Sequence, residues 1–426
     1  MTEATQPRMA RDTKLPLAAL AAALFALLAF APFASATPDP VASGSTTVTF
    51  NKGWTKYLKT FGIKIQKVGS AKVNTKKATF KVSGGDMDPT NGLGTLTLAG
   101  GLKFKAGKKS ASVKAMVLDT GKSVLTAKVS GKKVKFANLK GLSYTRNGFG
   151  VNVSLKTLKL NGAAAKQLNK KLGYAKGKPK PFLGGKKIGK SASESQPATV
   201  AIIPGNNLVF NGSPELLTKL SNVEAKVQLI PPTTASGTTF TSPITGGSVS
   251  PLGTAGTVMS AGGLKLVQNL PVSDTQSIDT TITLGAMYLD LSARTVTVEV
   301  VAESNAEVDG KKPLNLGNLG RSSIADLTIT GVFADPVTRS VSVSSSAVLQ
   351  PISAEVLQGF VSVYKGYAEA GTYAAVFKKA KEEGATDAEA DAAGKAAAKA
   401  AGEEVAKNNI SAGEALGTFS FTAQTQ

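Results

Sequence analysis

The 426-residue sequence contains no cysteine and no histidine, and only 6% of its residues are aromatic, with a single tryptophan. Without cysteine there is neither a disulfide nor a lipid-modified thiol, so stability has to come from burial of a core. Without histidine the commonest general base, the commonest zinc ligand and the usual partner of a nucleophilic serine are all absent. A serine–lysine dyad or a carboxylate pair stays open, but residues 37–200 offer only Asp39, Asp86, Asp88, Asp119 and Glu194 as acids. Binding is therefore expected rather than catalysis. No second apolar run follows the first 36 residues, so no transmembrane segment is expected after processing.

Those first residues carry Arg8, Arg11 and Lys14 ahead of an uncharged apolar run from Leu15 to Phe30. The run is short for a membrane span. Ala34-Ser35-Ala36 and the helix-breaking Thr37-Pro38-Asp39-Pro40 come next, the order of a secretory signal peptide. Residues 1–36 are expected to be removed, giving a secreted or extracellular protein, released or held non-covalently at the cell wall.

Charge is unevenly spread. Residues 37–200 hold 32 Lys/Arg against five Asp/Glu, whereas residues 201–426 hold 15 against 21. Such a basic module suits an anionic partner. Nucleic acid is not expected, because single-strand recognition interleaves aromatics with basic groups and the aromatics here fit core positions. An anionic cell-surface polymer suits an exported protein better.

Similar landmarks recur in order along the chain, the mark of a repeat. Thr46–Asn51 matches Asn207–Asn211, and Ala99-Gly100-Gly101-Leu102-Lys103 returns unchanged as Ala261–Lys265. Phe136–Leu139 answers Ile324–Leu327, and Leu160 and Leu168 answer Leu349 and Leu357. A Gly-x-x-[Ile/Leu]-Gly turn closes each copy at Gly185–Gly189 and Gly413–Gly417. The domains are thus a basic repeat at 37–198 and a diverged one at 199–426, with Ser191–Pro197 read as a short polar linker.

Alternation such as Val151, Val153, Leu155 with Asn152, Ser154, Lys156 predicts strands with one buried face and lysines on the other. The fold class expected is mainly β: two antiparallel β-sandwich-like repeats with short helices. An Ala/Lys/Glu-rich helical insertion is expected at 367–408, its second helix starting at a capping box, Thr386–Glu389. Asp86-Met-Asp88-Pro-Thr-Asn91-Gly92 is superficially like a calcium loop, but Pro89 interrupts it and an Asx turn is the expectation.

Phe50-Asn-Lys-Gly-Trp54-Thr-Lys-Tyr57 and the strand pair Gly94–Phe104 resemble the haem-transport-associated (HtaA) domain of exported actinobacterial proteins. The resemblance implies a mostly β surface domain that holds haem, with a tyrosinate oxygen on the iron and a histidine assisting. By position Tyr57 would be the iron ligand, with Trp54 beside it. Lys56 and Lys59 would stabilise the phenolate in place of the missing histidine. Pro214–Leu220 has no tyrosine where Tyr57 would fall, so the resemblance implies no haem ligand in the second copy.

Overall fold

The computed structural model describes residues 38–174, 179–307 and 314–426. The expected signal peptide lies outside them. The first repeat is built from β1 (Asp39–Phe50), α1 (Lys52–Thr60), β2 (Ile63–Val68), β3 (Lys72–Val73), β4 (Lys77–Met87) and β5 (Gly94–Ala106). It continues through β6 (Lys109–Asp119), β7 (Val124–Val129), β8 (Lys132–Asn147), β9 (Gly150–Leu160), α2 (Gly162–Leu172) and β10 (Lys187–Pro197). Strands β5 to β10 pair in succession, β10 pairs with β1, β1 with β4, and β4 returns to β5. The expected sandwich of separate sheets is thus replaced by a closed ring of eight antiparallel strands. The closing strand β4 pairs Thr79 with Thr47 of β1 and Val82 with Leu98 of β5. An eight-stranded ring leaves an interior about as wide as its own side chains can fill.

The second repeat comprises β11 (Val200–Ala201), β12 (Asn207–Gly212), α3 (Pro214–Asn222), β13 (Lys226–Ile230), β14 (Thr234–Ser236), β15 (Thr239–Val249), β16 (Gly256–Ser260) and β17 (Gly263–Ser273). After these come β18 (Gln276–Leu284), β19 (Tyr288–Asp290), β20 (Thr295–Ser304), β21 (Gly317–Asp335), β22 (Ser340–Leu349), α4 (Pro351–Glu382), α5 (Asp387–Ala406) and β23 (Ala415–Gln424). A ring again closes, through β20–β19–β16–β15–β12–β23–β22–β21 and back to β20.

Matching hydrogen bonds make the repeat explicit. Asn51 N–H donates to the Ile188 carbonyl, and Ser213 N–H to that of Leu416; Gly185 N–H donates to Leu160, and Gly413 N–H to Leu349. The shared Ala-Gly-Gly-Leu-Lys has a steric reason. Gly100 and Gly262 have φ +86° and +80°, and a Cβ would lie 2.7 Å from the Ala71 nitrogen in one copy and 2.8 Å from that of Thr233 in the other. Only glycine fits that backbone.

Each barrel has its own core, Phe80, Phe104 and Leu158 among others in the first, Phe210, Val298 and Phe419 in the second. Lysines stand on the outer strand faces, as the alternation predicts: Lys81, Lys105, Lys128, Lys135 and Lys156 are all exposed.

Two boundaries differ from expectation. Ser191–Pro197 is part of β10 rather than a linker. Its inward residues are serines, Ser191, Ser193 and Ser195, all buried, with Ser193 bonded to Thr46 at 2.9 Å and Ser195 donating to the Val151 carbonyl at 3.1 Å. A buried face made of hydroxyls carries no hydrophobic period. The helix that carries the insertion begins before Tyr367, since α4 starts at Pro351 and corresponds over its first turns to α2. The second copy prolongs that helix, and α5 then opens at the Thr386–Glu389 capping box. Among the described residues no helix is long and apolar enough to cross a membrane.

Candidate functional site

Helix α1 begins where the Asn51 side chain accepts the Trp54 N–H at 3.0 Å. Helical spacing then buries Trp54 and Leu58 and turns Tyr57 outward. Trp54 packs against Phe50 (ring centroids 5.8 Å apart) and edge-on to Phe104 (6.2 Å), so it belongs to the core, and its indole N–H is buried without a partner. Tyr57 is 39% exposed; its hydroxyl donates to the Lys180 carbonyl at 3.0 Å and its ring lies edge-on to Phe61 at 5.1 Å.

The segment that meets Tyr57 is held from behind. Asn169 of α2 is buried; its Nδ2 donates to the Phe182 carbonyl (2.8 Å) and its Oδ1 accepts the Phe182 N–H (3.2 Å). Phe182 is thereby seated edge-on to Phe104 at 5.2 Å. Between α1 and this segment runs an open groove of about 380 Å³, lined by Trp54, Tyr57, Pro181, Leu183, Lys186 and Lys187 together with Asn51 and Gly53. That volume falls within the usual range of small-molecule sites. The groove joins an exposed phenol to apolar walls and two lysines.

Of the residues expected to act, Tyr57 and Trp54 line the groove. Lys56 and Lys59 are exposed on α1 and do not line it. The lysines that do are Lys186, in the turn before β10, and Lys187, the first residue of that strand, where no periodicity signals a site; the repeated Gly-x-x-[Ile/Leu]-Gly turn is the one sequence feature close by. Asp88 accepts the Thr90 N–H (2.8 Å) and hydroxyl (2.6 Å) and the Asn91 amide (2.6 Å), which makes the expected Asx turn. Among the described residues no three acids gather as a metal site.

In the second barrel an ion pair stands in the matching place. The cap Ser213 places Lys219 where Tyr57 stands, and Glu414 takes the place of Lys186. These two form an ion pair at 2.9 Å, and Lys219 also donates to the Asn409 carbonyl at 3.0 Å. The amide clamp persists in altered form: Gln358 Oε1 accepts the Ile410 N–H at 2.7 Å, as Asn169 does for Phe182.

No family model matches the chain, and no curated relative matches it. Among solved structures it is similar to the N-terminal domain of HtaA from Corynebacterium glutamicum, at 13% identity over 52% of this chain and 98% of that one, with a TM-score of 0.32. It is similar to the heme binding protein HtaB from the same organism, at 14% identity over 54% and 96% of the two chains, TM-score 0.32. The C-terminal domain of that HtaA is similar at 12% identity over 37% and 98%, TM-score 0.28.

Proposed function

We propose that this chain is a secreted or cell-surface HtaA-like binding protein whose first barrel takes up haem as cargo at Tyr57. The observation that carries the reading is the half-exposed Tyr57 phenol on a groove that also presents Trp54, Pro181 and Leu183, two lysines and Asn51. The phenol oxygen would meet the iron, Pro181 and Leu183 would lie against the macrocycle, and Lys186 and Lys187 would receive its carboxylates. Phenols ordinarily keep their proton to about pH 10, so ligation has to displace the proton now donated to Lys180. Lysine ammonium groups favour the resulting anion. Because the Lys219–Glu414 pair fills the matching place in the second barrel, one haem per chain is expected.

Ferric haem titrated into the full-length mature chain should saturate and develop the charge-transfer absorbance of tyrosinate ligation. Tyr57→Phe should abolish that band with the fold intact by circular dichroism. Weak, non-saturating uptake that Tyr57→Phe leaves unchanged would sink the haem reading. An anionic cell-surface polymer would then be the better ligand, since Lys122 alone among the described lysines of the first barrel has an acidic partner.

Export belongs to the same proposal. N-terminal sequencing of protein from culture supernatant should read from Thr37, and recovery of only full-length, membrane-embedded chain would count against it.

A further inference from the structure

The outer face of the first barrel carries lysines in register with one another. Lys114 of β6 stands directly opposite Lys128 of β7, and Lys128 opposite Lys133 of β8, so three lysines form one row across three strands. Lys135 lies two residues further along β8 on the same face, and beside them Lys64 of β2 stands opposite Lys105 of β5. All six are exposed. Asp119, at the end of β6, is the one acid on β2 and β5 to β8, and it is paired with Lys122 at 3.7 Å. No acid on these strands is left to balance the row.

Like charges directly opposite one another on a sheet repel and weaken it. Charge that only keeps a surface wet gains nothing from this alignment, since lysines set out of register would serve as well. The barrel does not require it either. In the second copy the two long strands that follow the shared Ala-Gly-Gly-Leu-Lys strand, β18 and β20, hold Asp279, Glu299 and Glu303 and no lysine. Neighbouring strands lie about 5 Å apart, so the row is a line of positive charges repeated at that interval.

We propose that this face binds a linear acidic polysaccharide with a carboxylate on every sugar, laid across β6 to β8 along the lysine row. An extended chain of that kind presents its charges at an interval close to the strand spacing, so each ammonium meets an acid and the repulsion within the row is relieved. Two other polyanions fit the face less well. Single-stranded nucleic acid is gripped by stacking aromatics, and a membrane surface by inserted apolar side chains as well as by charge. From Gly94 to Ser143 no large apolar or aromatic side chain is exposed. None of the strands β5 to β8 lines the Tyr57 groove, and the proposal stands without the haem reading.

The test is calorimetric titration of the full chain with polygalacturonate. Saturable binding at low ionic strength is expected, lost by about 0.5 M salt. Lys114→Gln, Lys128→Gln and Lys133→Gln combined should weaken it about tenfold or more. Lys77→Gln, Lys81→Gln and Lys190→Gln combined remove the same charge from exposed positions on β4 and β10, across the ring, and should change affinity less than about twofold. Melting followed by Trp54 fluorescence should find the row variant at least as stable as the parent, because it loses like-charge repulsion; a lower midpoint would contradict the repulsion on which the proposal rests. Absence of saturable binding, binding indifferent to salt, or equal weakening in the two triple variants overturns the surface. Hyaluronate, with an acid on only every second sugar, should bind about tenfold more weakly or worse, and equal affinity overturns the charge spacing. Tighter binding of oligothymidylate or of phosphatidylglycerol vesicles than of polygalacturonate overturns the polysaccharide.

Discussion

Phe104→Ala will destabilise the first barrel by about 3–5 kcal/mol, the usual cost of removing a fully buried phenylalanine. Phe104 has no exposed surface and stands between Trp54 and Phe182, with ring centroids 6.2 and 5.2 Å away. Removing it empties the middle of a row that links α1, β5 and the segment facing Tyr57. Relaxation is limited because the Phe182 backbone is pinned by Asn169 and Trp54 is set by the α1 cap. The single tryptophan of the chain is Trp54, so its fluorescence reports melting of this barrel specifically. A fall in midpoint of roughly 10 °C or more is expected for a domain of this size. A change under about 3 °C would mean that the aromatic row is not what organises this core.

Asp39→Asn is expected to act in the opposite direction and only above acidic pH. Asp39, at the start of β1, is 4% exposed and one of its carboxylate oxygens has no partner. Burial pushes its carboxyl up to about 6, against a backbone hydrogen bond from Ala201 and the attraction of Arg146, while Asp88 adds to the rise. The folded chain therefore holds this proton more tightly than the unfolded chain does. The stability that follows is fully present below about pH 4 and is lost as pH rises through about 6. Asparagine keeps an acceptor for Ala201 and carries no charge to desolvate. At pH 7 the variant should gain on the order of 1–2 kcal/mol, less than the whole shift implies because Arg146 loses a neighbouring charge. Arg146 is itself strained in this respect: burial and the nearby Arg339 lower its affinity for protons, and its Nε and one Nη are unpartnered. Denaturant midpoints measured from pH 4 to pH 7 should slope downward in the parent and run flatter in the variant. Parallel slopes would show that Asp39 is not the group responsible.

Much of the architecture was legible because it is local. Alternation marked β9 correctly, since Val151, Val153 and Leu155 are buried and Ser154 and Lys156 exposed. The Ala-Gly-Gly-Leu-Lys pair located the repeat because a left-handed glycine beside a close backbone tolerates no side chain. The Thr386–Glu389 box fixed the start of α5, and Trp54 and Leu58 marked the buried stripe of α1. Tyr57 was picked out by the resemblance of its opening motif to the HtaA domain, and the fold puts its phenol on an open groove.

What local patterns do not encode is which distant strand edges meet. Ring closure depends on β4 pairing with both β1 and β5, and a period of two is the same in a sandwich as in a barrel. The serine face of β10 passed for a linker because it carries no apolar side chain; Ser193 and Ser195 bond to Thr46 and the Val151 carbonyl, while the buried Ser191 hydroxyl has no partner. The first turns of α4 were legible only as the counterpart of α2, with Leu357 answering Leu168, and that they run unbroken into the Ala-, Lys- and Glu-rich continuation was not. Lys186 and Lys187 could not be assigned to Tyr57 in advance, since the Asn169 clamp that brings their turn to α1 becomes glutamine in the other copy and leaves no shared motif. The sequence by itself determined strands, helices, charge and duplication, all of which follow from near neighbours and composition. Tertiary structure alone decided where each interior places its rings, in the row Trp54, Phe104 and Phe182 of the first barrel and the stack Phe240, Phe210 and Phe419 of the second, because packing is a property of side chains that meet from many strands at once.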